Sequence, residues 1–81
     1  MNSPPLNRGM PLSMSTRGTR LKIACVSGDQ GFRRKVTDMG LNTGTEIEIR
    51  QQEHGAVVIC SGNKRYAIGA AMAHRIWVCS I

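Results

Sequence analysis

Aromatic residues are scarce. Phe32, Tyr66 and Trp77 are the only rings in 81 residues. A chain of this length buries about 60% of its unfolded surface, so its core is small and must be built from Ile, Val, Leu, Met and Ala. That leaves no material for a large internal catalytic cavity. It also denies the chain the aromatic platforms on which single-stranded nucleic acid stacks. Carboxylates are few as well: five, against eleven Lys and Arg. No pair of them is placed for general acid–base work. No glycine-rich phosphate loop is present, which excludes nucleotide hydrolysis by this chain. The three cysteines, Cys25, Cys60 and Cys79, are odd in number and lack a Cys-x-x-Cys spacing, so neither a disulfide framework nor a zinc finger is indicated. Each lies in an apolar run, where a free thiol serves as a small hydrophobe, and a reducing cytoplasmic setting is expected. No stretch approaches the roughly 20 apolar residues of a membrane span, and no apolar secretory leader is seen. Direct membrane insertion is therefore not expected.

What the chain has in excess is positive charge. A formal net charge of +6 creates a field that favours anionic partners. Residues 1–9, MNSPPLNRG, are polar and rich in proline and glycine, and are expected to form a flexible leader to a domain over 10–81. Leu12 and Met14 are expected to drape over that domain. Leu21, Ile23 and Cys25 alternate with Lys22, Ala24 and Val26, which predicts a strand with Leu21, Ile23 and Cys25 facing inward. Ile47 and Ile49 alternate with Glu46, Glu48 and Arg50, the clearest strand pattern in the sequence. A turn at Gly55, the strand AVVIC, a Ser-Gly-Asn turn and the strand KRYAI form a hairpin. A short helical segment, GAAMAHR, leads to a last strand, IWVCSI. The expected fold is mainly β, a small barrel of about five strands with one or two short helices.

The stretch GFRRKVTDMGLNTGTEIEI, residues 31–49, carries the most information. Phe32, Val36 and Met39 fall on one face of a helix over about 32–39. Arg34 and Asp38 stand at a pairing distance of four residues. Gly40 is expected to end the helix in the left-handed region, with Leu41 folding back on Val36, and Gly44 to sit in a second turn that needs positive φ. Helix and turn chemistry thus account for Gly40, Gly44 and Leu41. They do not account for three consecutive cations, Arg33, Arg34 and Lys35, beside an apolar knuckle of Met39 and Leu41. These five residues are the candidate partner-binding surface, the apolar pair supplying affinity and the cations steering an acidic face into place.

Taken together, RRKVTDMGLNTGTEIEI resembles the signature of the FeoA family, the ferrous-iron transport protein A family. That signature is a basic pair, an apolar pair, Asp-Leu-Gly-Leu-x-Pro-Gly-Thr and an alternating strand. Arg34, Lys35, Val36, Asp38, Met39, Gly40, Leu41, Gly44 and Thr45 fall on its positions. The resemblance continues at Arg17-Gly18 and through Gly62, Ala67, Ile68, Ala73, Ile76 and Val78. Thr43 stands where the family carries proline, Met39 where it carries leucine, and Gly69 where it carries a larger, often basic residue.

The resemblance implies an SH3-like barrel and a non-enzymatic, cofactor-free accessory. Its implied partner is a membrane ferrous-iron permease with a GTPase domain, approached from the cytoplasmic side of the inner membrane. Two other functions stay open. One is a small basic barrel binding nucleic acid, which the scarcity of rings argues against. The other is a metal-responsive regulatory domain like the C-terminal domain of iron-dependent repressors. Metal ligands, if any, would come from His54, His74 and Cys60, at none of the usual zinc spacings. Trp77 on the last strand leaves a weak homo-oligomer open.

Overall fold

The computed structural model describes residues 9–81. Six strands form one antiparallel sheet: β1 (Met10–Pro11), β2 (Arg20–Val26), β3 (Glu46–Glu53), β4 (Ala56–Ser61), β5 (Lys64–Ile68) and β6 (Ile76–Ser80). Helix α1 (Gln30–Asp38) connects β2 to β3, and the short α2 (Ala70–Ala73) connects β5 to β6. The order across the sheet is β1-β6-β2-β3-β4-β5. The sequence pattern yields five of these strands. The sixth, β1, has two residues, too few for any periodicity to show.

Alternation builds the core. Leu21 and Ile23 of β2, Ile47 and Ile49 of β3, and Val57 and Ile59 of β4 point inward and are at most 4% exposed. Ile68, Ile76 and Val78 complete the sheet's contribution. Leu12, held in a single 3₁₀ turn (Leu12–Met14), is fully buried and packs against β4, β6 and α2. Burying such a side chain is worth about 1.5–3 kcal/mol. Ser15 secures the turn by donating its hydroxyl to the Leu12 carbonyl at 2.6 Å. Met14, by contrast, is 66% exposed and does not drape over the domain.

Two bulges correct the simple alternation. Between Ile23 and Cys25 the register of β2 against β6 shifts. One extra residue reverses the side-chain phase, so Cys25 is exposed and Val26 packs on the core instead. A second shift, between Ile49 and Gln51, lets β3 run on to Glu53 with its last four residues exposed.

Both hairpin loops have two residues. His54 (φ 53°) and Gly55 (φ 90°) have positive φ, as a type I′ turn requires. Gly62 (φ 62°) opens the β4–β5 turn, and Asn63 is not among the positive-φ residues, which is the type II′ arrangement. At the other end of the described chain, Gly9 backs onto β6 so closely that a β-carbon would overlap the Val78 carbonyl oxygen. The rest of the expected leader, 1–8, lies outside the described residues.

Candidate functional site

The site is built on α1 and the corner that ends it. Asp29 caps the helix, its Oδ1 accepting from the Phe32 N–H at 2.8 Å. This sets the helix start at Gln30, two residues ahead of the periodicity-based boundary. Val36 is fully buried and Phe32 and Met39 are partly buried against the core. That inward face leaves Arg33, Arg34 and Lys35 exposed on successive positions of the outer face.

The end of the helix is a Schellman corner. The Gly40 N–H donates to the Thr37 carbonyl at 2.9 Å and the Leu41 N–H to the Val36 carbonyl at 3.2 Å. Gly40 has φ 94°, a region where a β-carbon is disfavoured. The chain then turns through Gly44 (φ 92°). The Gly44 N–H reaches the Ile23 carbonyl at 2.7 Å, and the Thr45 carbonyl accepts from the Ile23 N–H at 2.9 Å, which stitches the corner to β2.

A long-range contact fixes the corner from the other side. The Tyr66 hydroxyl, from β5, donates to the Met39 carbonyl at 2.7 Å. It satisfies one of the carbonyls that a helix end leaves without an intrahelical partner. Sequence separation hides this contact, since donor and acceptor are 27 positions apart in the chain.

The five expected contact residues divide. Arg33, Arg34 and Lys35 are exposed and Met39 is half-buried. Leu41 is 1% exposed and belongs to the core, so it offers no side chain to a partner and positions the corner instead. Ion pairs among the described residues are Arg20–Glu46 and Arg50–Glu48, each at 3.8 Å. Arg34 and Asp38, although four apart, form none. The three α1 cations therefore stand without a carboxylate partner among the described residues.

The structure adds a fourth cation that the linear sequence does not associate with α1. Arg75 lies over the Phe32 ring, 5.5 Å from its centroid, a cation–π arrangement. The Arg75 carbonyl accepts from both the Ser27 N–H (2.8 Å) and the Ser27 hydroxyl (3.2 Å), which ties the start of β6 to the end of β2. Beside α1, a polar cleft of about 350 Å³ is lined by Cys25, Arg33, Thr37, Asn42 and Thr43, with Leu41 at its floor.

The remaining candidates are dispersed. His54 forms a hairpin turn, His74 ends α2 by donating its N–H to the Ala70 carbonyl at 2.9 Å, and Cys60 is half-buried in β4. Among the described residues no three His, Cys, Asp or Glu side chains converge. Tyr66 on β5 and Trp77 on β6 lie on strands that are not hydrogen-bonded neighbours, with β2, β3 and β4 between them in the sheet order. Among the described residues no helix is long and apolar enough to cross a membrane.

Comparison with known proteins extends these observations. The FeoA domain family matches residues 10–79. A protein of Methanocaldococcus jannaschii, provisionally named Fe(2+) transport protein A, is 25% identical over 68 residues, covering 84% of this chain and 83% of that one. The crystal structure of an iron uptake regulatory protein, FeoA, superposes with a TM-score of 0.81 at 29% identity, covering 89% of this chain and 97% of that chain. A manganese-dependent transcriptional repressor superposes at 0.84 with 19% identity, covering 95% of this chain but 44% of that one; at that identity the likeness is one of fold. The mainly β, SH3-like architecture expected from the sequence is therefore the one observed, with six strands in place of five. The match runs from β1 through β6 and takes in α1 and its Gly40 corner, and so the chain belongs to the FeoA family of ferrous-iron transport accessory proteins.

Proposed function

We propose that this protein is a non-enzymatic cytoplasmic accessory that binds and regulates a membrane ferrous-iron permease carrying a GTPase domain. Family membership over residues 10–79 supports the iron-uptake setting, and the relatives named for Fe(2+) transport and iron uptake regulation support it further. The observation that carries the choice of surface is the outer face of α1. Arg33, Arg34 and Lys35 are exposed there beside half-buried Met39, without carboxylate partners among the described residues. Cations so arranged accelerate encounter with an acidic face and fix its orientation, while Met39 supplies the apolar contact. Arg75, held over Phe32, widens the same positive field.

A double charge reversal, Arg33→Glu with Arg34→Glu, tests this. Neither residue forms an ion pair among the described ones, so the variant should keep its stability within about 0.5 kcal/mol. Its binding to the permease's isolated cytosolic domain should weaken by about tenfold or more at low salt, and less at moderate salt as the charges are screened. A folded variant that binds normally at both salts would move the partner surface away from α1.

A further inference from the structure

The sheet is open at two edges, and they are unequal. β1 has two residues, one of them Pro11, which has no N–H to offer. β5 has five residues, Lys64–Ile68, and among the described residues borders only β4. The two-residue Gly62–Asn63 loop fixes which groups on β5 are free. The pair flanking such a loop, Ser61 and Lys64, exchanges hydrogen bonds, and bonded and non-bonded pairs alternate from there. Lys64, Tyr66 and Ile68 therefore direct their main-chain groups toward β4. Arg65 and Ala67 direct theirs outward, and neither has a main-chain partner on that side among the described residues.

The surface beside this edge is shaped. Gln51, Val58 and Ala67 are cross-strand partners on one row of the outer face. They line a shallow groove of about 240 Å³ together with Ala56 and Gly69, and Glu53 closes its far wall. Gly69 lines the groove, and a β-carbon there would meet nothing within 4 Å, so a larger side chain can be placed at that position. At the near end Lys64 and Arg65 are exposed, and neither forms an ion pair among the described residues.

We infer that β5 is a docking edge for an extended acidic segment of another protein, which adds to the sheet as a seventh strand. Main-chain groups of Arg65 and Ala67 would bond the incoming strand. A carboxylate would meet Arg65, and an apolar side chain would enter the groove over Ala67 and Val58. Charge decides the occupant. Edge cations on a chain of net charge +6 discourage a second copy of itself and attract an acidic strand. This reading does not rest on the α1 proposal, although Tyr66 of β5 is tied to the α1 corner through the Met39 carbonyl.

The test uses the whole chain and a capped hexapeptide, Thr-Glu-Thr-Val-Thr-Glu, whose glutamate and valine two residues apart share the face of the added strand that meets Arg65 and Ala67; binding is followed by amide chemical shifts and hydrogen exchange. Shifts should centre on β5, and the Arg65 and Ala67 amides should gain protection from exchange. The same peptide with every amide N-methylated should bind at least about tenfold more weakly. Two variants attack the edge separately. Ala67→Pro removes an outward donor at a position where an edge strand tolerates proline, and Gly69→Leu fills the groove from an unstrained backbone. Each should cost at least about tenfold in affinity, whereas at moderate salt, where long-range charge is screened, the α1 double charge reversal should leave peptide affinity within about twofold. Equal binding by the N-methylated peptide, or shifts centred on α1, would overturn the inference. So would a concentration-dependent dimer in sedimentation that Ala67→Pro abolishes, because the edge would then belong to a second copy.

Discussion

Helix α1 and the β3–β4–β5 meander are held in opposite ways. The meander is fixed by two long ladders, broken by one bulge after Ile49, with Ile49, Val57, Ile59 and Ile68 buried beneath them. The helix is attached by one fully buried side chain, Val36, two half-buried ones, Phe32 and Met39, and hydrogen bonds at its two ends. The candidate contact cations thus sit on a nine-residue helix with a single fully buried anchor. A region held at its ends can loosen without the barrel unfolding, so damage to α1 should be local where damage to the meander is global.

The largest effect expected is from Ile59→Ala, about 2–5 kcal/mol, because Ile59 is fully buried at the centre of the meander. Urea unfolding should report the loss, and hydrogen exchange should accelerate throughout the sheet. Val36→Ala removes two methyl groups and should cost about 1.5–2.5 kcal/mol. Exchange should then rise mainly in α1. If both variants accelerate exchange uniformly, helix and meander form one cooperative unit and the contrast fails.

Next come the two glycines of the corner. Gly40→Ala should cost about 1 kcal/mol or more, and Gly40→Asn less, since Asn tolerates the left-handed region. A β-carbon at Gly40 would also lie 3.3 Å from the Tyr66 hydroxyl, whereas one at Gly44 would meet nothing within 4 Å. Thermal unfolding should therefore rank Gly40→Ala as more damaging than Gly44→Ala. Equal costs would mean that backbone strain alone, at φ 94° and 92°, sets both.

The smallest effect sharpens the comparison most. Tyr66→Phe deletes the single side-chain hydrogen bond from β5 to the end of α1, worth about 0.5–1.5 kcal/mol. It also clears the space that a β-carbon at Gly40 would crowd. Combining Tyr66→Phe with Gly40→Ala should cost less than the sum of the two, because neighbouring changes are not additive. Strict additivity in a double-mutant cycle would remove Tyr66 from the account of the corner.

Much of this architecture was legible because its signals are local. Ile47 and Ile49 alternate with charged residues, and the Gly40–Leu41 pair announces its own helix stop. The features that escaped depend on one extra residue or on distance in sequence. A bulge after Ile23 sends Cys25 to the surface, and a period of two carries no sign of it. Arg34 and Asp38 have pairing spacing, but an exposed pair gains little in water. Leu41 beside three cations reads as a surface knuckle until its 1% exposure is seen. Arg75 and Tyr66 join α1 from later parts of the chain, and no local pattern reaches that far.

The sheet order has a consequence for how the molecule assembles. β6, the last of the six strands in sequence, lies between β1 and β2, the first two. Neither early strand can complete its pairing until residues 76–80 have been synthesised and have joined the sheet. Loop closure over such separations is entropically costly before any contact rewards it, which puts the domain with the slower, non-local β folds that take about milliseconds to seconds. Until then β2 is a nascent edge with Leu21 and Ile23 uncovered, and that interval is when the chain is most open to aggregation.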